Sequence, residues 1–422
     1  MQESYLHYIW KAKRFKGHRL CLIDGREVQI KNVGWHNNDA GPDFFNGTIL
    51  IDGIEWTGNI ELHVKSSDWY LHNHQVDESY KNVILHVVYE YNKPVIVENR
   101  ELPTIELSQL IDHEHYSRYQ QKVLNSSSKP CSAHLIELKE EMAQQIQLSF
   151  FQRIERKGIE LLNRADQLKL DEYEVFVMAL AQSFGGRLNK IPMQELMNGV
   201  SLKIIWKEQW SKDRIEALVF GKAGFLERTS CPYQSKLAKI WNLLRRKYNL
   251  KPMRKSSWKF KGVRPSSYPT RKLAEFACVL QRINRRTTKF LDAEEIERAI
   301  HELLNFEIHP FWKNHAHFIR ESKVQQRLSL TKNAKYLILV NAIGPFLIYR
   351  KHKFGEHNND LILLDLFEAI PAEKNKMIDD WKKLNVSVQS AIDSQGLLEL
   401  NNEFCTFRKC LSCQVGNAIL NT

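Results

Sequence analysis

Residues 4–15 carry apolar side chains at Tyr5, Tyr8, Ile9 and Trp10, a helical spacing, and directly afterwards the pattern changes to short runs of β type. Those runs are HRLCLIDG, EVQIKNVGW, FFNGTILIDG, NIELHVKSS, VILHVVYEY and PVIVENRELPTIEL, with hairpin signals at Asp24-Gly25 and Asp52-Gly53. One short helical excursion is expected near Asp77 to Asn82. The polar, proline-terminated run NSSSKP at 125–130 marks a boundary. Beyond it the period becomes 3.6, through segments at 135–166, 171–184, 213–226, 233–248, 269–284, 291–305, 329–350, 359–369 and 373–383. The pattern predicts an α+β protein. A mixed, mainly antiparallel sheet domain with a flanking helix covers 1–125, a linker covers 126–134, and a helical domain covers 135–422. With no internal repeat or low-complexity tract, the helices are expected to form one irregular bundle.

Polar chemistry concentrates between Gly41 and His86. Alternation along a strand puts Glu61, His63 and Lys65 on one face and Ile60, Leu62 and Val64 on the other. A hairpin at Asp52-Gly53 brings the arm that starts at Asp43 alongside Glu61. Two carboxylates suit Mg²⁺, which keeps several waters, and a neighbouring imidazole or ammonium can move a proton or stabilise developing charge. The plainer reading makes Asp43 a turn cap and Glu61 with Lys65 a surface pair. A second constellation is His63, His72, His74 and His86 with Asp77, ligand types for Zn²⁺ or Fe²⁺. His72 and His74 share a face only if their segment is extended, and a lone strand histidine such as His86 also fits a hydrogen-bonded core position.

The order helix, strand, strand with Pro-Asp, strand with Glu-x-His-x-Lys, short helix, strand is similar to the core of the PD-(D/E)xK nucleases. The resemblance implies metal binding by Asp43 and Glu61 and a lysine that positions or activates the attacking water. The lysine position of that pattern is His63 here, and Lys65 lies one strand repeat further. Over essentially the full chain, the motifs Asn-x-x-Ala-Gly-Pro-Asp-Phe, Gly-x-Ile-Glu-Leu-His, Ser-Asp-Trp-x-x-His-x-His, Arg-Pro-Ser-Ser-Tyr-Pro-Thr-Arg and a closing Cys-x4-Cys-x2-Cys resemble an uncharacterised bacterial family. That resemblance implies one intact architecture and no substrate.

Charge sharpens the picture. Lys and Arg number 61 against 49 Asp and Glu, a net +12. Residues 236–289 hold 17 of the cations and a single acid, Glu275, so this segment carries +16 and the rest of the chain −4. Such a local field suits a polyanion, whose counterions are released on binding. Candidate phosphate contacts are Arg245, Arg246, Lys247, Arg254, Lys255 and Lys259, then Lys261, Arg264, Arg271 and Lys272. Trp258 is a candidate for base stacking among interleaved Trp241, Tyr248, Phe260, Tyr268 and Phe276. The alternative is a solvated basic face with its aromatics in the core.

Seven cysteines are too few for a disulfide scaffold. The N-terminus MQESYLHYIWKAKRFKGHRL has no uninterrupted apolar stretch, so reduced thiols and a soluble, cytoplasmic protein are expected. Cys405, Cys410 and Cys413 could bind Zn²⁺ or an iron–sulfur cluster, with a fourth ligand drawn from Cys131, Cys231, Cys278 or a histidine. Gly185-Gly186-Arg187 and Asn189-Lys190-x-Pro192 read as a helix end and loop. No Walker-type phosphate loop or Gly-x-Ser-x-Gly elbow is present. The functional expectation is a metal-dependent, nuclease-like phosphodiesterase acting on nucleic acid. The alternatives are a non-catalytic nucleic-acid-binding or scaffolding protein and a histidine-ligated metalloenzyme on a small substrate.

Overall fold

The N-terminal apolar spacing forms helix α1 (Glu3–Lys11), which buries Tyr5, Leu6, Ile9 and Trp10. In this computed structural model, which describes residues 1–16, 20–37, 40–125, 129–283, 293–322 and 324–421, the chain divides into two compact units. One comprises 1–145 with 401–422, the other 146–400.

In the first unit the alternating runs become β1 (Leu20–Cys21), β2 (Glu27–Asn32), β3 (Trp35–His36), β4 (Phe44–Ile51) and β5 (Ile54–Lys65). A four-residue helix α2 (Asp68–Leu71) and two 3-10 turns lead into β6 (Val83–Glu90). The strands β7 (Ile96–Val97), β8 (Arg100–Glu101) and β9 (Thr104–Glu106) and helix α3 (His113–Tyr119) follow. The main sheet has the order β1-β2-β4-β5-β6-β9 with β3 beside β4. Its first part is an antiparallel meander, whereas β5, β6 and β9 run parallel. The β4–β5 hairpin turns at Asp52-Gly53, both at positive φ (51° and 79°), the backbone that a two-residue hairpin loop requires. The short helical excursion begins earlier than the sequence predicts, at Asp68, and only its 3-10 turn Glu78–Tyr80 falls in the expected place.

The apolar face of β5, Ile60 and Leu62, joins α1, Phe44, Leu85, Val87 and Ile105 in one core. The polar face is also enclosed, because Glu61 and His63 are both buried. Strand β5 comes close to the chain entering β6 at Gly58, where an added Cβ would stand 2.7 Å from the Asn82 carbonyl oxygen. Gly58→Ala is therefore expected to destabilise the fold by about 1–3 kcal/mol. A denaturant midpoint shift in the full chain measures it.

The C-terminal segment belongs with the sheet, not with the helical region to which its place in the sequence assigns it. Arg408 Nη1 donates to the Val123 and Leu124 carbonyls at 3.1 and 2.5 Å, and Lys122 Nζ donates to Ile419 O at 2.9 Å. Part of the expected 126–134 linker, 126–128, lies outside the described residues. Leu135, which follows it, is buried.

The second unit is helical, around a core that includes Phe176, Phe220, Trp241, Phe276, Trp312 and Phe346. The helix expected at 171–184 runs Glu172–Asn198, broken where Gly186 adopts φ 55° and Asn189 leaves helical geometry. The segment expected at 329–350 is Lys332–Ile338 and Gly344–Phe354 joined by a wider π-type turn. Helices Leu202–Glu208 and Ala391–Glu399 lie outside the segments that the sequence pattern predicts. No helix among the described residues is long and apolar enough to cross a membrane.

Candidate functional site

Asp43 ends the turn that leads into β4, and Glu61 lies mid-strand on β5; the two are interlocked. The Asp43 N–H donates to Glu61 Oε2 at 3.0 Å, and the Leu62 N–H donates to Asp43 Oδ2 at 2.9 Å. Glu3 and His7, one turn apart on α1, stand beside them, with His7 Nε2 3.2 Å from Asp43 Oδ2. The other Glu61 oxygen faces imidazoles, 3.3 Å from His74 Nε2 and 3.6 Å from His63 Nε2.

His63 is the hub. Its Nδ1 lies 2.8 Å from His86 Nε2 and its Nε2 3.1 Å from His72 Nδ1. Its ring is stacked at 25° on His74, which stacks in turn on Tyr80 at 3.8 Å. His72 and His74 meet His63 without an extended segment. Asn73 between them takes a left-handed backbone (φ 62°) that turns the chain from α2 into the 3-10 turn His74–Val76. Ligand atoms of His63, His72 and His74 all lie within 4.8 Å of one another, so these three residues could hold a metal ion, and Glu61 Oε1 stands close to two of them, His63 and His74.

Burial governs the electrostatics. It pushes Glu61 up to about 9, and the nearby Asp43 charge adds to the shift while the Asp43 N–H opposes it. Burial, reinforced by the neighbouring imidazoles, drives His63 down to about 2, and burial takes His86 down to about 3. Burial also lowers His74. For His7 burial opposes the charged form, yet the Asp43 hydrogen bond and the charges of Asp43, Glu3 and Glu61 prevail and raise it. The site thus holds neutral imidazoles on one side of Glu61 and a cation-favouring histidine on the other.

Not every expected residue reaches this site. Lys65 is half exposed at the strand end, with Nζ 3.7 Å from Glu90. Asp77 caps the turn Glu78–Tyr80 through the Ser79 N–H at 2.9 Å. Two participants were not singled out from the sequence, Glu3 and His7. Their i,i+4 spacing is visible there, but it also describes any solvated helix face.

A cleft of about 740 Å³ opens beside His7, with His36, Lys11, Arg408 and Lys409 along its walls. In the helical unit the basic segment divides. Trp258 is only 4% exposed and donates to Ala223 O at 2.9 Å, so it is a core residue and not a stacking platform. Arg271 is buried, bonded to the Trp312 and Arg327 carbonyls and paired with Glu275, and Lys272 pairs with Glu275 as well. Lys247 pairs with Glu208. Trp241 and Phe276 are core as well. Arg245, Arg246, Arg254, Lys255, Lys259, Lys261 and Arg264 remain exposed. The loop from Arg254 to Arg264 is held by a two-way amide clamp, in which Asn189 Nδ2 donates to Lys259 O at 3.0 Å and the Lys259 N–H donates to Asn189 Oδ1 at 2.8 Å.

A family model matches residues 3–376, most of the chain, including Asp43, Glu61 and the whole imidazole cluster. The chain belongs to the family described as a protein of unknown function, DUF2851. The matched region stops before Cys405, Cys410 and Cys413. No curated protein and no solved structure matches the chain.

Proposed function

We propose that the protein is a metal-dependent hydrolase that cleaves phosphodiester bonds of a polynucleotide. The observation that carries this reading is the convergence of Glu61 with His63, His72 and His74. Four donors about 2.1 Å from one ion in tetrahedral array stand about 3.4 Å apart; three of the six separations here, His63–His72, His74–Glu61 and His63–Glu61, are 3.1, 3.3 and 3.6 Å, and the three imidazoles lie within 4.8 Å of one another. Imidazole donors favour Zn²⁺, Mn²⁺ or Fe²⁺ over Mg²⁺, which prefers oxygen.

When bound, such an ion would polarise a phosphoryl oxygen and acidify a water. The chain's own groups have separate tasks. Glu61 neutralises charge at the centre, and its other oxygen, held by the Asp43 N–H, fixes its orientation. Asp43 orients His7, and His7, raised and lining the cleft, is placed to protonate the leaving oxygen. His86 holds the far nitrogen of His63, in the place that a carboxylate, carbonyl or water usually takes beside a ligating imidazole. Lys11, Arg408 and Lys409 along the cleft suit a phosphate backbone. The helix, antiparallel meander, helix and parallel strand, with Asp43 entering β4 and Glu61 on β5, support a nuclease-like arrangement in which an imidazole replaces the usual lysine.

The test is incubation of the full chain with single- and double-stranded DNA and RNA, with chelator and with Mn²⁺ or Zn²⁺ restored. Metal-restored cleavage is expected. Salt-dependent binding without product would contradict it and favour the binding-protein reading. Hydrolysis confined to a small phosphodiester would favour the small-substrate metalloenzyme. Within the same assay Lys65→Ala is expected to retain activity within about threefold, because its exposed pair with Glu90 contributes little. A hundredfold loss would restore Lys65 to the role that the nuclease pattern gives it.

A further inference from the structure

The run Arg264 to Arg271, Arg-Pro-Ser-Ser-Tyr-Pro-Thr-Arg, lies in the helical unit, and its two ends have different tasks. Its last two residues, Thr270 and Arg271, are buried in the first turn of the helix Pro269–Arg282 and anchor the segment that faces it. Thr270 Oγ1 donates to the Ala316 carbonyl at 2.6 Å, and Arg271 donates to the Trp312 carbonyl at 3.0 Å and to the Arg327 carbonyl. That segment folds back on itself, with the Ser322 N–H donating to Asn314 O at 2.6 Å and the Gln326 N–H to Lys313 O at 2.7 Å. Between the two pieces of chain lies a cavity of about 830 Å³, inside the range of about 300–1,000 Å³ common for small-ligand sites.

The first part of the run lines this cavity through Arg264 and Tyr268, and the facing segment through His317 and Arg320. Both arginines are exposed, and among the described residues neither has a side-chain hydrogen bond or an ion pair. His317 Nδ1 accepts the Ile319 N–H at 3.2 Å, which leaves Nε2 as the donor of the ring. Burial, with the charges of Lys255 and Arg320 added, lowers His317 and keeps it neutral. Phe260 braces both rings, meeting Tyr268 at 5.3 Å and 78° and His317 at 5.3 Å and 67°. Ile319 and Val324 in the same lining are 61% and 69% exposed, an apolar wall without a cover. Glu321 is the one acid among the described lining residues.

Unpaired guanidiniums match the oxygens of a phosphate, which they meet with paired N–H donors, while a braced aromatic ring beside apolar side chains matches the flat face of a base. Inorganic phosphate would engage the arginines alone. We infer that this cavity binds a nucleoside phosphate, free or as one unit of a single strand, with the phosphate between Arg264 and Arg320 and the base against Tyr268. The inference does not rest on the hydrolase reading, because none of these residues belongs to the imidazole site. It gives the helical unit a recognition task of its own. It also divides the exposed cations of the basic segment: Arg264 makes a specific contact, whereas Arg245 and Arg246, outside the cavity lining, contribute only to the general field.

The experiment is photocrosslinking of the full chain to uridine monophosphate and to a short oligouridylate, each with a photoreactive 4-thiouracil base, followed by mass spectrometry of the joined peptides. Chelator is present throughout, so that no metal-dependent cleavage enters the result. Attachment is expected at Tyr268, His317 or their immediate neighbours. In the double variant Arg264→Ala, Arg320→Ala its yield at subsaturating ligand should fall about tenfold or more, while Arg245→Ala with Arg246→Ala changes it less than about threefold. A stronger signal from the mononucleotide identifies a free nucleotide as the ligand, and a stronger signal from the oligonucleotide identifies a strand. Competition in the unmodified chain needs no variant to fold: excess uridine monophosphate should suppress the attachment, and inorganic phosphate should do so about tenfold more weakly. Attachment confined to residues outside the cavity would overturn the inference. So would a loss that the Arg245 and Arg246 pair reproduces, or equal competition by inorganic phosphate.

Discussion

In the Glu61→Gln protein the metal-dependent rate is expected to fall by about two to four orders of magnitude, while the metal-free fold becomes more stable at neutral pH. The first effect follows from loss of the carboxylate oxygen that faces His63 and His74. The second follows from the sign of its proton linkage. Below pH 4.5 Glu61 is protonated in both folded and unfolded chains and contributes nothing. Between 4.5 and about 9 the unfolded chain releases the proton and the folded chain keeps it, so stability declines as pH rises through that window. At pH 7 the cost is on the order of 3 kcal/mol, and Gln does not incur it. Thermal unfolding of chelated protein at pH 5 and pH 8 measures this: the advantage of the variant should widen with pH and shrink when metal is restored. A variant equally destabilised at both pH values would mean that Glu61 is ionised and structurally paired in the metal-free protein.

His63→Ala should have the opposite effect on the fold. His63 is 1% exposed and both of its nitrogens meet other imidazoles, so truncation leaves a cavity and strips His86 and His72 of a partner. A loss of about 2–4 kcal/mol at pH 7 is expected, together with loss of metal uptake. Because the folded value is about 2 and the ordinary one 6.5, the unfolded chain takes up a proton that the folded chain refuses as pH falls below 6.5. The unmodified protein therefore loses stability from His63 on acidification, and the alanine variant does not. The gap between them should narrow by about 1.4 kcal/mol per pH unit below 6.5. Denaturant titrations at pH 7 and pH 5 read that gap directly, and a gap independent of pH would show that His63 is not held neutral.

Strand periodicity made half of this site legible. Alternation placed Glu61 and His63 together, and the Asp52-Gly53 turn set the register that brings Asp43 beside Glu61. The burial of that polar face was not legible, because it depends on Trp69, His74 and Tyr80 folding over it from a segment with no regular period. His72 and His74 converge through one left-handed residue, Asn73, a backbone choice that side-chain patterning does not record. Charge counting located the basic segment but not its division. Trp258 and Arg271 satisfy their polar atoms on backbone carbonyls in the core, while the loop from Arg254 to Arg264 is presented by Asn189 from 70 positions away. That the C-terminal segment lies with the sheet unit is likewise a tertiary fact, fixed by its bonds to 122–124 and Gln145.

Anomalous diffraction at the manganese edge, on crystals of the full chain loaded with Mn²⁺, tests the proposed centre most directly. The expected result is a single strong peak about 2.0–2.3 Å from Glu61 Oε1 and from one nitrogen each of His63, His72 and His74. No peak there, with the His63–His72 and His63–His86 contacts intact under saturating metal, would contradict the centre and leave the cluster a buried hydrogen-bonded core.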